Sequence, residues 1–229
     1  MEVVKDLKGG VLMVKSVDVN LDILIKAIKE AKEKSKKRNF TQSIDLFIAI
    51  DGLDLKRPEN RIRMIVKLPN KSNKVKKVAL IADGGLVEAA KGIVDAVLTS
   101  KDLESIAGSK REIRKIAKRY DFFIAEPKLM SLVGKIMGFA LGPRGKMPQI
   151  VPPNADIKSI VDNLKSSVLI NVRNNPMVGV SIGTEDMDDK ALAENALTVI
   201  EAVKSKLPEK AYISRIYVKT TMGPTVKVA

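Results

Sequence analysis

Cysteine, histidine and tryptophan are all missing from the 229 residues. Without cysteine no disulfide can form, and the redox compartment is only weakly constrained. Without histidine the usual general base and the commonest zinc ligand are gone. No serine–histidine, cysteine–histidine or zinc–thiolate site can be built. Aspartate, glutamate and lysine remain, so an enzyme is disfavoured rather than impossible. Long apolar runs are missing too, and no stretch approaches the ~20 residues a membrane helix needs. The opening MEVVKDLKGG carries acids and no apolar h-region, unlike a secretory signal. A cytoplasmic chain with no membrane partner is the simplest expectation.

Negative charge is scarce. Lys and Arg number 41 against 27 acids, a net charge of +14. Such a field attracts polyanions, and nucleic acid is the commonest of these. An anionic membrane is the rival partner, but no helix pattern shows a Trp- or Phe-rich apolar face. What the chain does hold is apolar bulk, 45% of residues. A chain of this length buries roughly 70% of its unfolded surface, enough for a real core.

The pattern falls into three pieces. In the first, Asp18 or Asn20 can cap a helix whose apolar face carries Leu21, Leu24, Ile25 and Ile28. That helix runs into the basic stretch KEKSKKR (32–38), whose bland role is dipole compensation at a helix C-terminus. SIDLFIAID (43–51) and RIRMIVKL (61–68) then alternate apolar and polar, as half-buried strands do. In the second piece VALIAD (78–83), AVLTS (96–100) and DFFIAE (121–126) read as buried strands between helices. The helix after the second strand is expected to run to Arg119, and the next to start at Pro127. This alternation predicts a parallel sheet covered on both faces. The third piece holds a helix near 156–166, the strands VLINVR (168–173) and MVGVSIGT (177–184), a helix bearing Leu192, Ala196, Ile200 and Val203, and a last strand AYISRIYVKTT (211–221).

Neither outer piece makes a complete sheet by itself. Together they predict one discontinuous α+β domain, residues 1–68 and 155–229, with a four-stranded antiparallel sheet under helices. Residues 69–154 are expected as an inserted α/β domain of Rossmann-like, parallel-sheet type. Polar and proline-bearing crossings at both junctions would act as a hinge. The segment 69–154 carries a net +8, leaving +6 for the outer pieces, so both parts are basic.

Three features raise the question of chemistry. GFALGPRGKMP (138–148) resembles a phosphate-binding loop only loosely. A Walker loop needs Gly five residues before Gly145, where Ala140 stands, and a Ser or Thr after Lys146, where Met147 stands. DGGLVE (83–88) follows a strand but lacks the dinucleotide fingerprint, so Gly84 and Gly85 read as a tight turn. The acidic EDMDD (185–189) reads as a helix start rather than a metal site. No cofactor is expected.

Two features point to RNA. Phe40 follows Lys36, Lys37 and Arg38 at a helix-to-strand junction. The cations supply phosphate contacts, and the ring either packs on a base or staples the helix end into the core. At Thr221–Met222–Gly223–Pro224, glycine permits close backbone approach and Thr221 offers a hydroxyl, although the same residues could be an ordinary strand end.

LGPRGKMP (141–148), KTTMGP (219–224) and RNF (38–40) before an alternating strand together resemble the L1 family of ribosomal proteins, over essentially the whole chain. The QIVPP tail (149–153) departs from the bacterial form of the loop and is similar to archaeal members. The resemblance implies a non-enzymatic ribosomal constituent that binds large-subunit rRNA in the mobile stalk near the tRNA exit site. It also implies contact with departing tRNA, repression of the chain's own mRNA through a similar RNA structure, and a monomer off the ribosome. Carried over by position, Phe40, Thr221, Met222 and Gly223 match the RNA-contacting core of the family. Ser43, Asp45, Arg173 and Ser181 are expected on neighbouring strands, and Lys36, Lys37 and Arg38 as phosphate contacts by charge. The GPRGKMP loop is expected near the hinge, with Arg144 and Lys146 as candidate RNA contacts of the inserted domain. Two rivals are a nucleotide-using α/β enzyme with an accessory domain, which predicts saturable mononucleotide binding, and a generic duplex-DNA binder.

Overall fold

The computed structural model describes residues 3–5, 11–13, 19–152 and 155–228. Asp18, one of the two expected caps, and Pro153–Asn154 of the extended stretch lie outside them. In chain order the elements are β1 (Val3–Lys5), β2 (Val11–Met13), α1 (Leu21–Glu33), β3 (Ser43–Asp51), β4 (Ile62–Lys67), β5 (Val78–Ile81), α2 (Gly85–Ala90), β6 (Ala96–Leu98), α3 (Ser100–Ile106) and α4 (Lys110–Arg119). They continue with β7 (Phe122–Ala125), α5 (Met130–Leu141), β8 (Gln149–Ile150), α6 (Ile157–Lys165), β9 (Ser167–Val172), β10 (Met177–Thr184), α7 (Asp189–Lys206), β11 (Tyr212–Thr220) and β12 (Val226–Lys227). The chain forms two units, Met1–Lys74 with Ser167–Ala229, and Val75–Ser166.

In the outer unit, β3 lies between β10 and β11, with β12 beyond β11, all antiparallel. Strand alternation decides which face is buried. Ile44, Leu46, Ile48 and Ile50 point to one side and join Val178, Val180, Ile182, Ile216 and Val218 beneath α1 and α7. Helix α1 contributes Leu24, Ala27, Ile28 and Ala31, and α7 contributes Leu192, Ala196, Val199 and Val203. The expected strands at 61–68 and 168–173 do not extend this sheet. β4 and β9 pair with each other as a separate antiparallel ribbon, Ile62 opposite Val172 and Lys67 opposite Ser167. Ile62, Val66, Val168 and Ile170 still enter the same core. The fourth strand of the sheet is instead β12, which follows the TMGP turn and has too little periodicity to read from sequence.

In the second unit the strand order is β6-β5-β7-β8, all parallel. Ala79, Ile81, Phe123 and Ala125 face a cluster built with α3, α4 and α5. Val78, Leu80, Phe122 and Ile124 are buried on the opposite face, where α6 contacts β5 and α2. α6 thus groups with this unit, although its place after the proline stretch suggested the outer pieces. The single helix expected up to Arg119 is two helices. Ser109 breaks the run, its hydroxyl accepting from the Glu112 N–H at 3.4 Å to start α4.

Candidate nucleic-acid interface

Gln42 decides the local geometry. It stands two residues before Ile44, on the inward phase of the β3 alternation, and is 1% exposed. A buried amide must find partners, and this one finds three chain segments. Its Nε2 donates to Ser35 Oγ at 3.0 Å and to the Lys36 carbonyl at 3.3 Å, just past the end of α1. Its Oε1 accepts from the Met222 N–H at 3.1 Å. Its backbone N–H donates to Glu185 Oε1 at 2.9 Å, and the Glu185 N–H returns a bond to the Gln42 carbonyl at 2.9 Å. The end of α1, the β10–α7 turn and the β11–β12 turn are thereby tied at one rim of the sheet.

The turn after β11 closes over this knot. Thr220 Oγ1 donates to Ser35 Oγ at 2.9 Å. Thr221 continues the ladder. Its N–H donates to the Ser43 carbonyl at 3.0 Å, and its hydroxyl accepts from the Ser43 N–H at 3.1 Å. A Cβ on Gly223 would collide with Thr220 Oγ1 and stand 3.2 Å from Ser35 Oγ. Glycine at 223 is therefore demanded by the protein's own packing rather than by a ligand's approach.

What the knot holds outward is apolar and basic. Phe40 is 52% exposed and Met222 60%. Phe40 is not part of the core, so the ring does not staple the helix end. Lys36, Lys37 and Arg38 are exposed and make no ion pair among the described residues. α1 ends at Glu33, so these cations lie beyond it, and the dipole-compensating role falls to Lys32 and Lys34. Lys32 Nζ donates to the Met187 carbonyl at 2.7 Å and pairs with Asp189 at 2.5 Å. Phe40, Ser43, Asn73, Lys74, Thr184 and Thr221 are among the residues lining an open groove of about 460 Å³ beside the rim.

Asp45 and Ser181 continue from the rim along the outward sheet face, where Ser181, Asp45 and Lys219 are direct cross-strand neighbours. Burial pushes the Asp45 carboxyl above its usual range, opposed by the nearby Lys219 and Lys74 and by the Ser181 hydroxyl. Arg173 is not in this cluster. It precedes the β9–β10 turn, at the end of β10 where Met177 pairs with Ala49, whereas the rim is at the Thr184 end. Seven strand steps put the two ends roughly 20 Å or more apart.

In the second unit the GPRGKMP loop turns its donors inward. The N–H groups of Arg144 and Lys146 donate to the Leu141 carbonyl, and that of Gly145 to the Gly142 carbonyl. Gly145 takes a left-handed φ of 67° to allow this. Arg144 Nη1 donates to the Ala140 carbonyl at 2.7 Å. Lys146 Nζ donates to the carbonyls of Tyr120 at 2.7 Å and Ala117 at 3.3 Å, capping the end of α4. Burial lowers the Lys146 ammonium below the ordinary lysine range, while Asp121 opposes the shift. The loop is a helix terminator, and its N–H groups are spent on its own helix rather than offered to phosphate. At the carboxyl ends of β5 and β7, where open sheets bind nucleotides, the Ser100 N–H donates to Asp83 and the Asp83 N–H lies 3.5 Å from the buried Glu126 carboxylate. Two carboxylates there repel a phosphate. The acids at 185–189 have structural partners as well: Glu185 holds Gln42, Asp186 accepts from Asn73, and Asp189 pairs with Lys32.

A model of the ribosomal protein L1p/L10e family matches residues 28–224, a span that holds both the rim and the GPRGKMP loop. The chain belongs to this family. It is 47% identical to the large ribosomal subunit protein uL1 of Pyrobaculum arsenaticum over 214 residues, covering 93% of this chain and 96% of the relative. It is 49% identical to the protein of the same name from Pyrococcus abyssi, covering 90% and 94%, and 48% identical to that of Thermococcus kodakarensis, covering 90% and 96%. All three carry the name of a protein of the large ribosomal subunit. The family span starts inside α1 and ends at Pro224, so it begins and closes on the elements that meet at Gln42.

Sequence reasoning found the outward residues of this rim and missed those that aim them. Gln42, Ser35 and Glu185 carry no motif. One signal was available: Gln42 is a polar residue on the apolar phase of a strand, where a buried amide implies a network.

Proposed function

We propose that the outer unit docks on folded large-subunit rRNA through the rim knotted at Gln42, and that the chain is thereby a constituent of the large ribosomal subunit in the cytoplasm. One observation carries this reading. A single buried amide holds three segments together and leaves Phe40, Met222 and the Lys36–Arg38 run facing solvent. The three cations neutralise phosphates. Phe40 and Met222 give flat and flexible apolar contact to unstacked bases or sugars. Ser43 and Thr221 line the groove beside Phe40, and Asp45, Ser181 and Gly223 complete the proposed contact. Because the rim is cross-tied, it selects an RNA by shape rather than folding around it.

The same chemistry extends to two further RNAs. A segment of the chain's own messenger folded like the rRNA site would compete for the rim and repress translation. Exit-site tRNA is a third partner, a reading supported by the net charge of +14. Arg144 and Lys146 are left out of the proposed contact, because each already donates to helix carbonyls of the second unit.

The test is a titration of the full chain with a structured large-subunit rRNA fragment, a DNA duplex and ATP across salt. Preferential rRNA binding, with log–log salt slopes near −0.7 to −0.9 per phosphate contact, is expected. Met222→Asp should weaken rRNA binding at least tenfold with unchanged thermal unfolding, since the side chain is exposed. Equal affinity for the duplex, saturable ATP binding, or full affinity in Met222→Asp would overturn the proposal.

A further inference from the structure

Aromatic rings are distributed oddly between the two units. The second unit buries three of its four aromatic residues, Tyr120, Phe122 and Phe123, and exposes Phe139. The outer unit has four aromatic residues, Phe40, Phe47, Tyr212 and Tyr217, and none is in its aliphatic core. Aromatic side chains ordinarily dominate cores. Here three of the four are on the sheet face opposite α1 and α7. Phe47 and Tyr217 are directly opposed across β3 and β11. The Phe47 ring leans over Gly179 on the other side, where a Cβ would come within 3.0 Å of its Cε1. Tyr212, 37% exposed, stands on the same face, and so does Met177, 46% exposed.

Cations frame these rings. Lys227 opposes Tyr217 from β12, and Arg215 and Lys219 precede and follow it on the same face. Arg215 and Lys227 make no ion pair among the described residues. The face also carries Asp45, beside Lys219, and Asp51 at its far end.

From these placements we infer that the open sheet face is a second RNA surface, which takes single-stranded RNA by stacking bases on Phe47 and Tyr217. The inference deepens the RNA-binding reading above, and the face is continuous with the rim through Ser43 and Asp45 on β3. A duplex hides its base faces; an unpaired strand offers them. The two residues stand directly opposite on adjacent strands, whose backbones lie roughly 5 Å apart. Arg215, Lys219 and Lys227 meet the phosphates alongside.

The experiment uses the full chain and a short fluorescent oligoadenylate, with the structured rRNA fragment in parallel. The chain has no tryptophan and three tyrosines, so stacking on Tyr217 is read directly as tyrosine quenching. Phe47→Leu with Tyr217→Leu should weaken oligoadenylate binding about five- to a hundredfold and abolish the quenching, with melting and circular dichroism unchanged. Met222→Asp should leave oligoadenylate binding intact while losing the folded fragment, which separates failure of the rim from failure of the sheet face. Unchanged oligoadenylate affinity in the double variant overturns the inference. So does a concentration-dependent dimer in sedimentation that the double variant abolishes, because the face would then be a self-association surface. If the double variant unfolds, Lys227→Glu alone, at an exposed edge position, serves instead: unaltered single-strand affinity and salt slope overturn the inference.

Discussion

In the loop at Gly142–Met147 the cations turn inward. Arg144 and Lys146 cap helix carbonyls, and the backbone N–H groups close on the preceding helix. In the loop at Thr221–Pro224 the direction is reversed. Gln42 Oε1 and the Ser43 carbonyl accept from the loop's backbone N–H groups, and Met222 is left in solvent beside exposed cations. Both loops combine glycine, proline and a polar or basic residue, and both lie within the span that the family model matches. A basic glycine–proline loop is therefore not by itself a polyanion site. What decides is whether the orphan carbonyls of a nearby helix claim the donors first. In the second unit α4 and α5 both end at the loop and claim them. In the outer unit a neutral amide satisfies the backbone, so the charges stay available.

The tightest contact of the rim is at Gly223. Gly223→Val drives a side chain into Thr220 Oγ1 and Ser35. It should cut rRNA affinity about a hundredfold, or ~2.7 kcal/mol, measured by filter binding. Gln42→Leu is next, because it leaves the Met222 N–H without its partner and removes one of the two donors to Ser35 Oγ. It should cost about 1–3 kcal/mol of stability in urea unfolding and lower rRNA affinity at least tenfold. Lys146→Met tests the other loop. It should cost about 1–2 kcal/mol on unfolding and leave rRNA affinity unchanged; a matching loss of affinity would erase the contrast.

The smallest effect is at Asp45. Its folded-state carboxyl titrates above the unfolded value because of burial. Such a group favours folding below the unfolded pKa and loses that contribution as pH rises through the folded one. Asp45→Asn should therefore be slightly more stable than the parent at neutral pH, by on the order of 2–4 °C in Tm. The difference should shrink to nothing below the usual carboxylate range. A constant difference across pH would place the cause elsewhere.

Much of the fold could be read one residue at a time. The alternation at 43–51 put Ile44, Leu46, Ile48 and Ile50 inward, and they are inward. The buried strands at 78–83 and 121–126 belong to a parallel sheet, as their continuous apolar character required. Elements that depend on distant partners were less legible. β4 and β9 have good strand periodicity, yet nothing local reveals that they pair with each other rather than extend the main sheet. β12 is two residues long and exists only because β11 is there to receive it. Of the candidate site, Phe40, Met222 and the basic run stand at one rim. Arg173, placed by position on a neighbouring strand, is at the other end of the sheet.

Residue identity and local period alone set the excluded chemistry, the basic field and the inward phase of strands such as β3. These depend on residue identity and on periods of two or 3.6, which are local. Long-range packing decided which cations, among the described residues, are free and which are spent. It also decided that Gln42 joins residues 35, 185 and 222, and that three of the four aromatic rings of the outer unit gather on one sheet face. Those outcomes depend on which polar groups meet across more than a hundred residues of chain, and a hydrogen-bond donor is committed only when its acceptor arrives.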